Sequence, residues 1–459
     1  MAYIYNDQSA GDRALSSKIN ALAVAAGKKT DVALLPVTPP TYTVFKHGGL
    51  FHYRDGYSGE VSTGNADAYT VIQAAVNLMT AGGKLLVKQG TYPLTAPITV
   101  PVKPLIICGE GPGTIFSLST AITGFELNPT GAFSPFDVDQ FTTLRDFSIF
   151  SSEETTPHYG ILVQNRHSLI IDSVYFYGDS TSNKMHGLYI LGLNNSKITR
   201  NHFVRTYTGI YATLGLGDFD DVAIVANDIS YILYRGIYLP SNASKVIISA
   251  NNIEECVDVG IVAHGKNHTI VANTITETKT MQGVGLGTIQ DSVVVGNIIA
   301  DNGMDVANTK DGIKCDQATR CVIANNQIGD LYGSGYQRYA ISLAGACSNN
   351  MIIGNTFYGN ATAPILDGGT GTIIRNNSGF ITENSGSDAV INGQTAKVVT
   401  HGCDFTPAAH DVVITQTATT TNPSYITYVD TFTATEFTVH VSADPGASTF
   451  AFDWAVRKV

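Results

Sequence analysis

The chain has 459 residues, 44% of them apolar and only 14% charged, with a formal net charge of −11. That length is too great for one small domain, and so low a charge fraction suits many stacked, buried strands. The acidic balance excludes nucleic acid as a partner, since no basic stripe is available to neutralise phosphates. No run approaches the roughly 18 apolar residues that would cross a membrane.

Residues 1–44 read as an N-terminal attachment segment and linker. Asp12 caps a short amphipathic helix bearing Leu15, Ile19, Leu22 and Val24, and Pro36, Pro39 and Pro40 keep the following stretch extended. No signal peptide is visible, because Met1 to Asp12 is polar and the apolar run Ala21–Ala26 is short. An extracellular or virion location would then be reached by another route, of which release within a virus particle is one, or by means of a leader that has been removed. From residue 45 the pattern changes. Asn65-Ala66-Asp67 caps an expected helix over Ala68 to Thr80, with Ile72, Ala75 and Leu78 on one face and Gly82-Gly83 as its stop. Strands are expected at Lys84–Lys88, Ile98–Val100 and Leu105–Cys108.

A phrase then recurs: Gly160-Ile161, Gly187-Leu188, Gly209-Ile210, Gly236-Ile237, Gly260-Ile261, Gly285-Leu286, Gly312-Ile313, with Ala340-Ile341 and Pro364-Ile365 standing in at the end. The intervals run from 22 to 28 residues. Each interval carries an apolar run and then Asn-x-apolar, at Asn201, Asn227, Asn251, Asn273, Asn297, Asn326 and Asn355. A period of this size means a solenoid whose units bury their apolar faces only against one another. The apolar pieces are three to five residues long, rich in Val and Ile, and broken by Gly, Asn and Asp, which is strand-and-turn grammar rather than helical periodicity. The reading is a parallel β-helix over residues 45–381, with the asparagines stacked at one corner as a structural ladder. The six cysteines show no CxxC spacing and read as buried free thiols.

Asp67-Ala68-x-x-x-Ile72-Gln73-Ala74-Ala75, Gly82-Gly83-Lys84-Leu85-Leu86-Val87, Gly90-Thr91-Tyr92 and Gly109-Glu110-Gly111 resemble the opening of the pectate-lyase-like superfamily. The likeness is greatest to the branch with phage tailspikes, polysaccharide lyases and alginate epimerases. It implies a right-handed parallel β-helix with an N-terminal helical cap. It leaves the reaction open, because that superfamily hosts lyases, hydrolases, epimerases and pure binders. The catalytic signatures are mostly missing: no Asp-Pro-His occurs, and Asn308-Thr309-Lys310-Asp311-Gly312 is followed by no Asp-Asp pair or Gly-His-Gly.

Strand alternation after each repeat glycine assigns an outward column of Leu162, Tyr189, Tyr211, Tyr238, Val262, Gly287, Lys314 and Ser342. Tyr189, Tyr211 and Tyr238 form an exposed aromatic ladder, a natural floor for sugar rings, with His186 beside it. Farther along are Arg235, His264, Asp311, Lys314 and Asp316, the candidate catalytic group. A glycosidase needs two carboxyls, for which Asp311 and Asp316 are candidates. A lyase or epimerase needs a base and a cation, for which Lys314 with Arg235 or His264 would serve. No cofactor is demanded; Glu254-Glu255 offers oxygen ligands of the kind calcium takes, without the rest of a ligand set.

Residues 382–394 read as a linker. Alternating strands at Lys397–His401, Asp411–Thr415, Tyr425–Val429, Glu436–Val441 and Phe450–Trp454 make residues 395–459 a small antiparallel β-sandwich. Its phrases, Val399-Thr400-His401-Gly402 among them, resemble small β modules at the ends of phage tail proteins. The order of segments implies a homotrimeric tailspike or tail fibre that binds a cell-surface polysaccharide and degrades it. A stand-alone carbohydrate-active enzyme and a non-catalytic adhesin are the alternatives.

Overall fold

The computed structural model describes residues 40–127 and 141–458, apart from residues 180, 216, 419, 421 and 423. The helix expected at residues 12–26 and the linker up to residue 39 lie outside the described residues. A parallel β-solenoid of about ten turns makes up most of the chain. Each turn visits three parallel sheets, called A, B and C here. Sheet A contains His158–Val163, Met185–Ile190, Thr208–Ala212 and their successors to Ala363–Asp367; sheet B contains Ile247–Ser249, Thr269–Val271 and Val293–Val295 among others; sheet C contains His202–Val204, Asp228–Ser230, Asn252–Glu254 and so on.

One inward residue per strand stacks on its like in the next turn. Ile161, Leu188, Ile210, Ile237, Ile261, Val284, Ile313, Ile341 and Ile365 align in sheet A. Ile224, Ile248 and Ile270 align in sheet B, and Phe203, Ile229, Ile253 and Ile275 in sheet C. All are buried in one continuous apolar core. The repeat glycines are there for close approach: a Cβ on Gly236 would lie 2.5 Å from the Gly260 carbonyl oxygen of the next turn.

The asparagines occupy the corner between sheets B and C. Each side-chain amide donates to the Oδ1 of the next, from Asn201 through Asn227, Asn251, Asn273, Asn297, Asn326 and Asn355 to Asn377, at 2.9–3.0 Å. Each also donates to a backbone carbonyl of the preceding turn, as Asn251 does to Ile224 O at 3.0 Å. The residue before each asparagine turns the corner with a positive φ, for example Ala226 at 56°, Ala250 at 54° and Ala272 at 55°. That conformation costs a non-glycine residue roughly 1 kcal/mol or more, which the ladder's buried hydrogen bonds offset.

Three expectations need adjustment. The helix runs over Ala68–Leu78, capped by Asp67, and buries Val71, Ile72, Ala75 and Val76 against the first strands, while Leu78 is exposed. The repeat phase is displaced at one turn: Val284 takes the inward position, Gly285 pairs with both Val262 and Lys314, and Gly287 moves one outward column along. The repeat phrase of this turn is Gly283-Val284, since a Cβ on Gly260 would lie 2.8 Å from the Gly283 carbonyl oxygen; a bulge between Ala263 and Gly265 follows farther along the same strand pair. Finally, the expected linker 382–394 contains the strand Glu383–Val390, paired antiparallel with Phe450–Arg457. Two three-stranded antiparallel sheets follow the solenoid, sharing a core of Val390, Val399, Phe437, Val439, Phe450, Phe452 and Trp454. All six cysteines are free and buried.

Candidate functional site

Sheet A carries the aromatic ladder on its outer face because three successive turns place Tyr at the same outward position. Tyr189 and Tyr211 stack at 5.5 Å and 20°, and Tyr211 and Tyr238 at 4.8 Å and 14°. Tyr159, from the flanking column, extends the row with its ring 4.5 Å from Tyr189. A second, parallel stack lies beside it, Tyr207 on Tyr234 at 5.5 Å and 19°. In such stacks the ring faces are turned to one another. What reaches solvent is a row of ring edges and phenol hydroxyls, about 4.8 Å apart along the axis. The geometry therefore offers hydroxyls in series rather than the flat ring faces expected from the sequence. Among the described residues no hydrogen bond engages the Tyr189, Tyr211 or Tyr238 hydroxyl. Burial, then the adjoining phenols, raises the Tyr189 and Tyr211 pKa values, so both stay protonated and able to donate.

His186 sits against this row, edge-on to Tyr189 at 5.4 Å and Tyr207 at 5.1 Å, with Nδ1 2.9 Å from the Thr208 hydroxyl. Burial, with a contribution from His158, pushes its pKa down to about 4. It is a neutral wedge in the floor. The Arg235 guanidinium lies 4.5 Å over Tyr234 and 5.1 Å over Tyr238, and its Nε donates to Asp258 at 2.7 Å. Burial opposes its charge, but the bond to Asp258 and the charge of that carboxylate prevail and raise its pKa.

Beyond Tyr238 the face dips. Gly285 and Gly287 supply both outward positions of one turn, and the His264 ring folds over Gly287, where a Cβ would lie 2.1 Å from its Cε1. The Thr288 N–H donates to His264 Nδ1 at 3.2 Å, which leaves Nε2 carrying the proton of the neutral ring. Burial first and then Arg235 depress the His264 pKa, with Asp316 acting in the opposite sense. One turn on, the Lys314 ammonium meets the Asp316 carboxylate at 3.0 Å, both partly exposed. The structure thus brings His264, Lys314 and Asp316 to one stretch of surface. Asp311 borders this stretch but is enclosed. It is 1% exposed, held by Arg338 through Nε at 2.9 Å and Nη2 at 3.0 Å, and by the Ser342 hydroxyl at 2.6 Å. Three hydrogen bonds satisfy a buried carboxylate, and Asp311 and Asp316 do not converge as a facing pair.

A family model described as a right handed beta helix region matches residues 136–279 and 208–337. The fold is a right-handed parallel β-helix. Among solved β-helices, the tailspike protein gp49 from Pseudomonas phage LKA1 superposes with a TM-score of 0.52, at 12% identity, over 85% of this chain and 93% of that one. The Dettilon tailspike protein superposes at 0.51 and 15% identity, over 84% and 90% of the two chains. The A-module of the Azotobacter vinelandii mannuronan C-5 epimerase AlgE4 gives 0.48 at 15% identity, over 67% and 96%. No curated protein matches by sequence. At these identities the likeness is one of fold.

Sequence reasoning places Tyr159 beside this face, just before Gly160, and passes over Tyr207, Tyr234 and Arg338. A signal existed for two of them, since Tyr207 and Tyr234 each stand two residues before a repeat glycine. The Glu254-Glu255 pair does not assemble a cation cage; Glu255 faces Lys279 at 3.2 Å. Among the described residues no group of three or more His, Cys, Asp or Glu side chains is placed to hold a metal ion.

Proposed function

We propose that this β-helix binds an extended polysaccharide along sheet A and cleaves it beside the tyrosine ladder, in the manner of a virus tailspike depolymerase. The observation that carries the reading is the run of half-buried tyrosine hydroxyls at 189, 211 and 238 that have no hydrogen-bond partner among the described residues, repeated at the rise of the solenoid. That rise is close to the length of one sugar unit in an extended glycan, so successive sugars meet equivalent donors. Arg235 and His186 flank the chain, and the dip at Gly285 and Gly287 leads it to Lys314, Asp316 and His264. There the Asp316 carboxylate takes a proton from the attacking water or the sugar carbon and returns it to the glycosidic oxygen as that bond breaks, while His264 Nε2–H and the Lys314 ammonium hydrogen-bond to oxygens on which negative charge develops. Structural kinship to two tailspikes supports the reading at the level of scaffold.

A homotrimer is part of the proposal. The outer face of sheet B presents Ile247, Val271, Val293, Val295, Val322, Met351, Ile353 and Ile373 in adjacent strands. From Ile247 to Ile353 the outward positions carry no charged side chain, and Arg375 bounds the run beside Ile353; a contiguous apolar patch of this kind marks an association surface.

The test is incubation of the full chain with neutral and uronate-containing polysaccharides, followed by pull-down, ultraviolet absorbance of unsaturated products and reducing-end release. Binding with product release that disappears in Asp316→Ala, while binding persists, is the expected result. Binding without products would make the protein an adhesin. Absence of binding to any bacterial surface glycan would end the proposal.

A further inference from the structure

We infer that the β-helix has a second saccharide-binding site, on the corner between sheets B and C near its N-terminal end and away from the tyrosine ladder. A cavity of about 480 Å³ opens there, lined by Pro112, Asp146, Ser173, Tyr175, Arg200 and His202. The volume suits a ligand of roughly disaccharide size.

The cavity is preformed. Its lip is the turn carrying Gly111 and Pro112, pinned by the Ser148 hydroxyl donating to Pro112 O at 2.8 Å and by Gly111 N–H donating to Asp146 O at 2.9 Å. Glu110, on the outer side of the same turn, is held by Lys88 at 2.5 Å and by the Gln89 N–H at 2.9 Å. Gly111 itself, at φ +103°, has nothing within 4 Å of where a Cβ would be, so the mouth is open on that side.

The floor differs from the ladder in the way that matters for sugars. Tyr175 meets His202 at 5.4 Å and 35°, and Tyr177 at 5.3 Å and 57°. Neither neighbour lies parallel on it, so the Tyr175 ring is not consumed by stacking as Tyr211 is. A pyranose needs an apolar ring face for its C–H groups and polar groups converging on its rim. The rim is supplied by opposite kinds of group. The Asp146 carboxylate accepts from hydroxyls, with Arg145 3.5 Å away to hold it. Arg200 is largely exposed, anchored by one Nη2 contact to Asp172 at 2.5 Å, which leaves further N–H groups to donate. His202 leans on Asp228 at 3.4 Å. A carboxylate and a guanidinium on either side of an aromatic floor match a sugar's vicinal hydroxyls, which donate and accept at once.

This inference stands whether or not the ladder binds glycan. The test is saturation-transfer NMR of the full chain with methyl glycosides of glucose, galactose, mannose, rhamnose and glucuronate, and with lactose and maltose. Saturation of at least one sugar, retained in Tyr211→Ala and weakened at least tenfold in Tyr175→Ala, is expected. No saturation of any of these sugars, or loss in Tyr211→Ala with retention in Tyr175→Ala, would overturn it. Should Tyr175→Ala fail to fold, Arg200→Gln decides, since its side chain lies on the surface: the same weakening is required, and an unchanged signal rejects the site.

Discussion

Tyr211 is stacked on Tyr189 and Tyr238 at once, so its ring and its hydroxyl have separate jobs. Tyr211→Phe keeps the stack and removes one hydrogen-bond donor; polysaccharide affinity should fall about three- to tenfold, in line with about 1 kcal/mol for a neutral hydrogen bond, with thermal unfolding unchanged. Tyr211→Ala removes both stacked contacts and the edge contact with His186, worth about 0.5–1.5 kcal/mol each, so it should lower the unfolding temperature as well. Comparing binding isotherms and melting curves of the two variants separates recognition from scaffolding. His186 gives a pH signature. The folded state holds this ring neutral down to about pH 4, whereas the unfolded chain takes up a proton near 6.5. More protons bind the unfolded state inside that window, so His186 withdraws stability as the pH falls from about 6.5 to about 4. His186→Gln should flatten that part of the stability profile, as read by thermal unfolding at pH 7 and pH 4.5.

At the scale of the element, the corner ladder is the feature on which the turns depend. Asn273 receives donors from the Asn251 side chain and backbone and donates to Ile248 O and Asn297 Oδ1. Asn273→Ala leaves several buried polar groups unpaired at about 1–3 kcal/mol each, and a loss of roughly 3 kcal/mol or more is expected in denaturant unfolding. Much of this was legible in the chain itself. The Asn-x-apolar phrase named the ladder from Asn201 to Asn355, and only Asn377, where the phrase decays, escaped. The repeat phase at Gly285 was misplaced because Gly283-Val284 and Gly285-Leu286 are the same phrase two residues apart, and strand alternation fits either. The enclosure of Asp311 was hidden too, since its partner Arg338 comes from 27 positions away in the next turn. The strand Glu383–Val390 was read as linker because Gly, Ser and Asn dominate it, and its pairing with Phe450–Arg457 overrides that local preference. Lys314 and Asp316 were legible as charges on an outward column and no further, since a solvated ion pair and a reactive one share the same letters.

For the whole molecule, the apolar outer face of sheet B sets the quaternary prediction. Sedimentation equilibrium should report three chains per particle, and Val295→Lys together with Val322→Lys should release single chains that keep the β-sheet circular dichroism of the parent. A parent that already sediments as one chain would leave that face without a partner of its own kind.

The ladder also makes the solenoid a ruler with fixed graduations. Every corner asparagine presents the same donor and acceptor to its neighbours, so the stack does not register which turn comes next. Excising residues 273–296, one graduation of 24 positions between Asn273 and Asn297, leaves Asn251 facing Asn297 with its hydrogen bonds remade. The same cut deletes the dip at Gly285 and Gly287 and draws His264 nearer to Asp316 by one step of about 4.8 Å. Duplicating that segment moves them apart by the same step. The reach between tyrosine ladder and charged group is therefore quantised, and a lineage or an engineer can reset it in whole turns without redesigning either end.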